Sequence, residues 1–548
     1  MAIYGEPPGT VLLESEAETI VLQPHPSSDP NEPLNWPPWR KHFNFVLVCF
    51  FTLIAFTSAC VSSVFWGPWI EEFGWTLDQL NNTYAFSVAG LGLGCPLLIP
   101  FAHKFGKRPV YIVASALVVA CAAWQSRMHS IGEVYSSFLI QGLAVSITET
   151  IIQMTVADLY FVHQRGTFNG IYMFVVDVGN FLILVPAGYI TVNLGWRWVY
   201  IIVAIIAGGQ FLMTVFLFEE TKYLTNPEQT FITEEDSSEE DSSEENCGAA
   251  TKYLPQEPKL DNDVELQMNP LSKRLALVTY TPARCKEFGR KMIIPFVTLI
   301  SYPIVAFSAI QYGFMLTWLS MAATTSANSF ALPPYNFSSA AIGNVNIAPF
   351  VGMIFGSVFG GWFNDKTIIW LSNRNKGIYE PEFRLYSLVF ANFSLTVGVF
   401  LFGTSLANRV HWMVPTIGFA IIMFGFGSSG AIVVTYLLDC YDKIVADAFI
   451  GVIVVRNGLA MVTIFCLGPW EERMGLQNVY IMAGYFSLVP LILTVPMIIW
   501  GKELRRKSGP RYLKESLREQ AGTGTSAVQV KYWQLCDDLA SLQCRTSS

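Results

Sequence analysis

Charge is scarce in this 548-residue chain: 14% of residues are Asp, Glu, Lys or Arg, where soluble domains carry about 25%. With a mean hydropathy of +0.40, that scarcity excludes a soluble globular protein. The net charge of −8 says little about partners, because most of the acidic excess sits in one tract, 234–245. Nothing in it points to nucleic acid. Cysteine pairs are missing from the loops: the ten cysteines fall in apolar runs (Cys49, Cys60, Cys95, Cys121, Cys440, Cys466) or in polar segments (Cys247, Cys285, Cys536, Cys544), so free thiols are expected. A phosphate-binding loop is also missing. Phe105-Gly106-Lys107-Arg108 lacks both the first glycine and the hydroxyl residue of such a loop, which argues against direct ATP hydrolysis. There is no metal-ligand cluster, nucleophile–base pair or cofactor loop, so neither an enzyme nor a bound cofactor is expected. The first forty residues are polar and proline-rich without an apolar core, so no cleavable signal peptide is expected and the first span is expected to direct insertion.

What is abundant is long apolar runs. Spans are read at 43–66, 84–102, 109–127, 134–157, 168–191 and 197–218, then at 290–320, 341–363, 384–406, 411–438, 446–468 and 477–500. Each can cross about 30 Å of hydrocarbon, and only a helix satisfies its backbone alone in lipid. The fold class is therefore all-α integral membrane, with twelve helices in two six-helix halves. The domains are a tail (1–42), a first half (43–218), a linker with an acidic tract (219–289), a second half (290–500) and a tail (501–548). Run 290–320 is longer than one span needs, so part of it is read as an interfacial or outer extension.

Lys and Arg set the orientation. They crowd the tails and alternate loops (Arg40, Lys41, Lys104, Lys107, Arg108, Arg165, Lys366, Arg374, Lys376, Arg384, Lys443, Lys502, Arg505), while the opposite loops hold only Arg127, Arg197, Arg409 and Arg473. Both termini are expected in the cytosol, in the plasma membrane rather than the vacuolar one. Residues 321–340 are then outside, which offers Asn336 as a glycan acceptor, with Asn81 a weaker candidate close to the membrane. The tract 234–245 is too densely acidic to collapse; it reads either as a solvated linker or as a kinase target.

The stretch that organises the chain runs from Ser136 to Asn180, where two carboxylates, Glu149 and Asp177, stand inside apolar runs. An ionised group near the bilayer centre costs several kcal/mol, so such a residue is a functional candidate; the alternative is a hydrogen-bonded packing residue. Glu149 shares its helix face with Gln153, and Asp177 with Asn180. These two acids are the candidate proton-coupling groups. Arg456-Asn457 interrupts the eleventh span about 15 Å up the helix. The guanidinium needs an acid or an anionic substrate, and Asp439 and Asp447 are the nearest acids in sequence. Gln141, Gln153, Tyr172, Asn180, Gln311, Tyr312, Arg456 and Asn457 are the candidate cavity lining. Trp66 and Trp318 fit either that wall or an aromatic belt.

Several motifs resemble the major facilitator superfamily, and within it the fungal twelve-helix drug/proton-antiporter branch. Asp29-Pro30-Asn31-Glu32-Pro33-Leu34-Asn35-Trp36 is similar to that branch's entry to the first helix. Asn375-Lys376-Gly377-Ile378-Tyr379-Glu380-Pro381-Glu382-Phe383-Arg384 is similar to its loop between the eighth and ninth. Gly195-Trp196-Arg197-Trp198, Phe218-Glu219-Glu220-Thr221-Lys222-Tyr223 and Tyr436-Leu437-Leu438-Asp439-Cys440-Tyr441 extend the match over about residues 28–500. The resemblance implies a secondary transporter of drugs, toxins, secondary metabolites or polyamines. It does not specify which.

The chain departs from the pattern in three places. The loop between the second and third helices has His103 where the family has an acid that latches the cytosolic side; the histidine is either a weak, pH-sensitive latch or a plain surface residue. The resemblance makes His103, Lys104, Lys107, Arg108 and Asp158, with Asp365 and Lys366 in the second half, the candidate gate. The fourth helix has Phe138 where antiporters of this branch carry an arginine ahead of Gln141-Gly142, and the fifth keeps only Pro186-Ala187-Gly188 of its signature. That places the coupling on Glu149 and Asp177. The leading reading is proton-coupled efflux of a small organic molecule by a monomer in the bilayer. Proton-coupled uptake of a nutrient or polyamine, or a non-transporting membrane sensor, are the alternatives.

Overall fold

The computed structural model describes residues 7–8, 10–12, 29–222, 270, 274–278, 285–441 and 444–522; the acidic tract lies outside them. Six helices long and apolar enough to cross a membrane come first: Pro38–Val64, Leu77–Phe105, Lys107–Gln125, Ile131–Leu159, Gln164–Leu194 and Trp196–Leu217, here spans 1 to 6. Span 7 is Pro303–Ala331, preceded by the shorter apolar helix Met292–Ser301; spans 8 to 10 are Ser339–Arg374, Pro381–Ala407 and Met413–Cys440. The last candidate, Ala448–Leu513, is 66 residues long, far more than the roughly 20 a bilayer needs. It turns at Gly475, whose φ of +75° is open only to glycine at little cost, so it supplies spans 11 and 12, with the sequence-read outer loop 469–476 between them. The count of twelve stands, ten single spans and this pair.

Local chemistry sets the boundaries. Thr76 and Gln79 form a reciprocal capping box at the start of span 2, and the Ser130 and Ser338 hydroxyls accept backbone N–H groups at the starts of spans 4 and 8. Span 7 departs from the sequence reading. Pro303 at its first position starts a new helix, which then runs to Ala331, so Thr324, Thr325 and Asn328 are buried helix and not exposed loop.

The first and last described segments meet on one face of the bundle, where Arg505 donates to the Pro8 carbonyl and Val11 pairs with Tyr379; this is here the tail face, and the opposite one is the far face. The far-face parts of spans 5 and 8 close the two halves against each other. A Cβ on Gly188 would stand 2.4 Å from the Ser339 carbonyl oxygen, and one on Gly343 would stand 2.5 Å from that of Leu184. Spans 2 and 11 also pack extensively, whereas spans 4 and 10 find their extensive packing within their own halves among the described residues. The molecule is in a state closed on the far face.

Candidate functional site

Arg456 and Glu149 meet between the halves. The Arg456 guanidinium, rising from span 11, donates to the Glu149 carboxylate of span 4 as a hydrogen-bonded ion pair. Its side chain is 8% exposed and that of Glu149 10%, so the pair is shielded from both solvent faces. The Arg456 guanidinium carbon also lies 5.0 Å from the centre of the Tyr312 ring, a cation–π arrangement. Asn457 Oδ1 accepts from Arg456 at 3.4 Å. Arg456 Nε and Asn457 Nδ2 are buried without a hydrogen-bond partner among the described residues, which leaves two donors for a ligand or water.

The sequence pointed Arg456 toward Asp439 or Asp447, and the structure corrects this. Asp439 accepts from Arg384 Nε at 2.5 Å and from the Tyr379 hydroxyl; the Asp447 side chain lies outside the described residues. Proximity in sequence failed as a guide because the true partner is in the other half. The same pair answers the missing arginine of span 4, since a cation reaches Glu149 from span 11 instead.

Asp177 is 5% exposed, and its carboxylate makes no hydrogen bond among the described residues. It stands directly before a π-helical turn, Val178–Leu182, which holds Asn180 and re-aims the residues that follow. Tyr172 and Tyr312 are within electrostatic reach of its carboxylate. The Tyr172 hydroxyl donates to the Thr148 carbonyl at 2.7 Å, tying span 5 to span 4 next to Glu149. Asn180 Oδ1 accepts from the Cys60 thiol at 3.1 Å, and Gln153 is half-buried. Glu149, Asp177, Tyr172, Tyr312, Arg456 and Asn457 thus form one constellation where the halves meet.

Two glutamines assigned to the cavity lie elsewhere. Gln141 is fully buried in the first half, donating to Ser58 Oγ at 2.5 Å and accepting from Gln125 Nε2 at 2.5 Å. Gln311 is equally buried in the second half, where it donates to the Pro490 carbonyl at 2.7 Å and accepts from Asn392 Nδ2 at 3.1 Å. Each amide's bonds stay within one half, so both pin packing. Trp66 and Trp318 are 2% and 5% exposed, which rules out a lipid-facing belt. Asn81 is 2% exposed and accepts from Asn328 Nδ2 at 3.0 Å, so it is shut away from any glycan transfer; Asn336 is exposed.

On the tail face the structure reveals a clamp that sequence reasoning quoted only as a family motif. Glu220 caps span 3, accepting from the Lys107 and Arg108 backbone N–H groups at 3.0 Å each, where the helix dipole favours an anion. Lys222 Nζ donates to the His103 carbonyl at 2.6 Å at the end of span 2. Glu219 holds Arg40 at the start of span 1 and Arg274 of the linker. Burial works against the charge on Glu219, but the hydrogen bonds from Arg274 and Arg40 outweigh it and hold the carboxyl below its ordinary range. Lys107 also pairs with Asp158 at 2.5 Å. In the second half Asp365 accepts from Arg384 at 3.2 Å, and Lys366 is exposed. His103 is half-buried and Lys104 also offers its carbonyl to Lys222, at 3.3 Å. Acids and bases cluster there by motif spacing, so the signal was present in Glu219-Glu220 and Lys222 as charges just beyond an apolar span.

Comparison with known proteins agrees with this architecture. An uncharacterized MFS-type transporter of Schizosaccharomyces pombe is 29% identical, covering 96% of this chain and 98% of the relative. An efflux pump of Floropilus chiversii is 24% identical over 91% of this chain and 87% of its own. Among solved structures, a D-xylose-proton symporter superposes with a TM-score of 0.56 at 12% identity, covering 83% of this chain and 97% of that one. The family model described as Major Facilitator Superfamily matches residues 46–465, and the chain belongs to that superfamily of membrane transporters.

Proposed function

We propose that the protein is a proton-driven exporter of a small organic molecule, acting as a monomer at the plasma membrane with both termini in the cytosol. The observation that carries this reading is the buried Glu149–Arg456 pair bridging the halves. It can form only while the halves are closed at that level, so whatever neutralises Glu149 or takes over Arg456 changes the balance between closed and open states. A proton on Glu149 removes the attraction and leaves Arg456 for substrate. The second acid, Asp177, lies in the same constellation and can share the proton. Lys and Arg crowd the tail face, which fits a cytosolic side. The efflux pump among its relatives supports the direction.

The energetics are sufficient with one proton per cycle. Expelling a neutral solute against a hundredfold gradient costs about 2.7 kcal/mol. One proton moving through about 100 mV supplies about 2.3 kcal/mol, and one pH unit adds about 1.4. The test is flux in proteoliposomes of the purified full chain, loaded with candidate organic molecules and given an imposed pH gradient. Gradient-driven accumulation is the expected result. Equilibration without accumulation would make the protein a facilitator, and no flux of any compound would favour a sensor.

A further inference from the structure

The far-face seam holds a second pair of acids that the reading above does not use. Asp78, in the first turn of span 2, presses against span 11: a Cβ on Gly468 would stand 1.4 Å from Asp78 Oδ1, so only glycine admits the contact. Glu471 lies three residues on, beyond the apolar end of span 11, and faces the same aspartate. Its Oε1 is buried with no hydrogen-bond partner among the described residues. Among the described residues no cation pairs with either acid; Glu472 and Arg473, next in sequence to Glu471, are exposed. Glu471 faces Asp78 from span 2, the Thr325 hydroxyl from span 7 and Tyr480 from span 12; Asp78 also faces Tyr135 of span 4. The Asn81–Asn328 hydrogen bond closes the seam one turn below.

Two half-buried carboxylates brought together in a closed seam between separable halves, one with a buried oxygen that finds no donor, are costly to keep ionised at once. We propose that Asp78 and Glu471 form a proton-dependent clasp on the far-face gate. One proton held by the pair lets spans 2 and 11 close; its loss puts two like charges in the seam and drives the halves apart, where both carboxylates hydrate. The proton arrives from the far face and leaves to it, so the clasp is separate from the Glu149 site, although it rests on the reading that the halves alternate. An acidic far side would thereby favour return to the state seen here.

The experiment is a spin-label distance across the far face of the full chain in nanodiscs, without substrate. Labels go on Glu71→Cys and Gln477→Cys, both exposed, in a background where the exposed Cys466, the part-exposed Cys60 and the thiols of the polar segments, Cys247, Cys285, Cys536 and Cys544, are changed to serine. Raising the pH from about 5 to about 8, the interval in which a carboxyl lifted by burial and a like charge titrates, is expected to lengthen the distance. Glu471→Gln, which cannot ionise and can donate to Asp78, is expected to lose the whole shift and stay short at both pH values; Asp78→Asn should also lose it. Gly468→Ala, whose Cβ occupies the place of Asp78 Oδ1, is expected to be long at both. A wild-type distance that ignores pH, or a Glu471→Gln protein with the wild-type shift, would overturn the clasp. Because no substrate is present, failure of gradient-driven export with the shift intact would count against the exporter reading alone.

Discussion

Arg456 and Glu149 are 307 residues apart in the chain and form one buried ion pair between its two halves. A pair of this kind is worth little as a net contribution to stability, because desolvating both ions offsets most of their attraction. It is costly to break from one side, however, since the remaining ion is stranded. That asymmetry suits a switch, and it gives the first two expectations.

Glu149→Gln keeps the shape and hydrogen-bonding capacity of the side chain but cannot cycle a proton. Exchange of substrate between equal pools should persist, while accumulation driven by a pH gradient should be lost. Asp177→Asn is expected to have the same effect, less severely. Proteoliposome flux under the two regimes separates exchange from accumulation. Accumulation at the wild-type rate by Glu149→Gln would reduce that residue to packing.

Removing only one ion should be felt in stability. Glu149→Gln leaves Arg456 buried against Tyr312 with no counter-ion, and a stranded buried charge costs about 3–5 kcal/mol. The double variant Glu149→Gln with Arg456→Met removes both charges and should recover most of that loss. Thermal unfolding of Glu149→Gln, Arg456→Met and the double variant in detergent checks it. If the two single effects simply add, the pair is not coupled.

How much of this was legible in the sequence depends on range. The spans and the two intramembrane acids could be read directly, because an apolar run and a charge within it are local facts. The partner of Arg456 could not be read, because nothing local distinguishes Glu149 from Asp439 as its acid. Gln141 and Gln311 looked like cavity residues by polarity alone, and only their bonding to Ser58, Gln125, Asn392 and Pro490 shows that they pin helices within one half. The end of span 7 was misplaced because polar residues from Thr324 to Asn328 read as loop, whereas in the fold they are buried at the far-face seam.

The orientation is open to a direct check. Asn336 is exposed on the far face and Asn81 is buried. A glycan, where one is added, should therefore be lost on Asn336→Gln and unaffected by Asn81→Gln, as read by electrophoretic mobility with and without deglycosylation. A cysteine placed at Asn336 should react with an impermeant reagent from outside intact cells. Reaction only after permeabilisation would invert the topology.

The acidic tract lies outside the described residues, so its expectation rests on composition. Deleting 232–246 should leave transport per molecule at the membrane nearly unchanged, because a self-repelling segment has no packed role to lose. Abundance is free to change. Normal surface level with reduced turnover would make the tract part of the gate.

The tail-face clamp gives a pH-dependent expectation. Glu219 sits between Arg40 and Arg274, and its folded-state carboxyl is held below the ordinary range against the opposing effect of burial. A depressed folded value means that the stabilisation is complete above the unfolded value, about 4.3, and is lost as pH falls through the folded one. Glu219→Gln removes the charge at every pH and leaves Arg40, 3% exposed, beside Arg274 without its anion. At neutral pH the variant should unfold earlier than wild type by about 3 kcal/mol, the low end for stranding a buried ion. As pH falls below the unfolded value and through the lower folded one, wild-type Glu219 is itself progressively neutralised, so the gap between the two proteins should narrow. Thermal unfolding followed from about pH 7 to about pH 3.5 tests this, in a detergent whose own charge does not titrate over that interval. A gap that stays constant with pH would mean that Glu219 acts through packing and not through its charge.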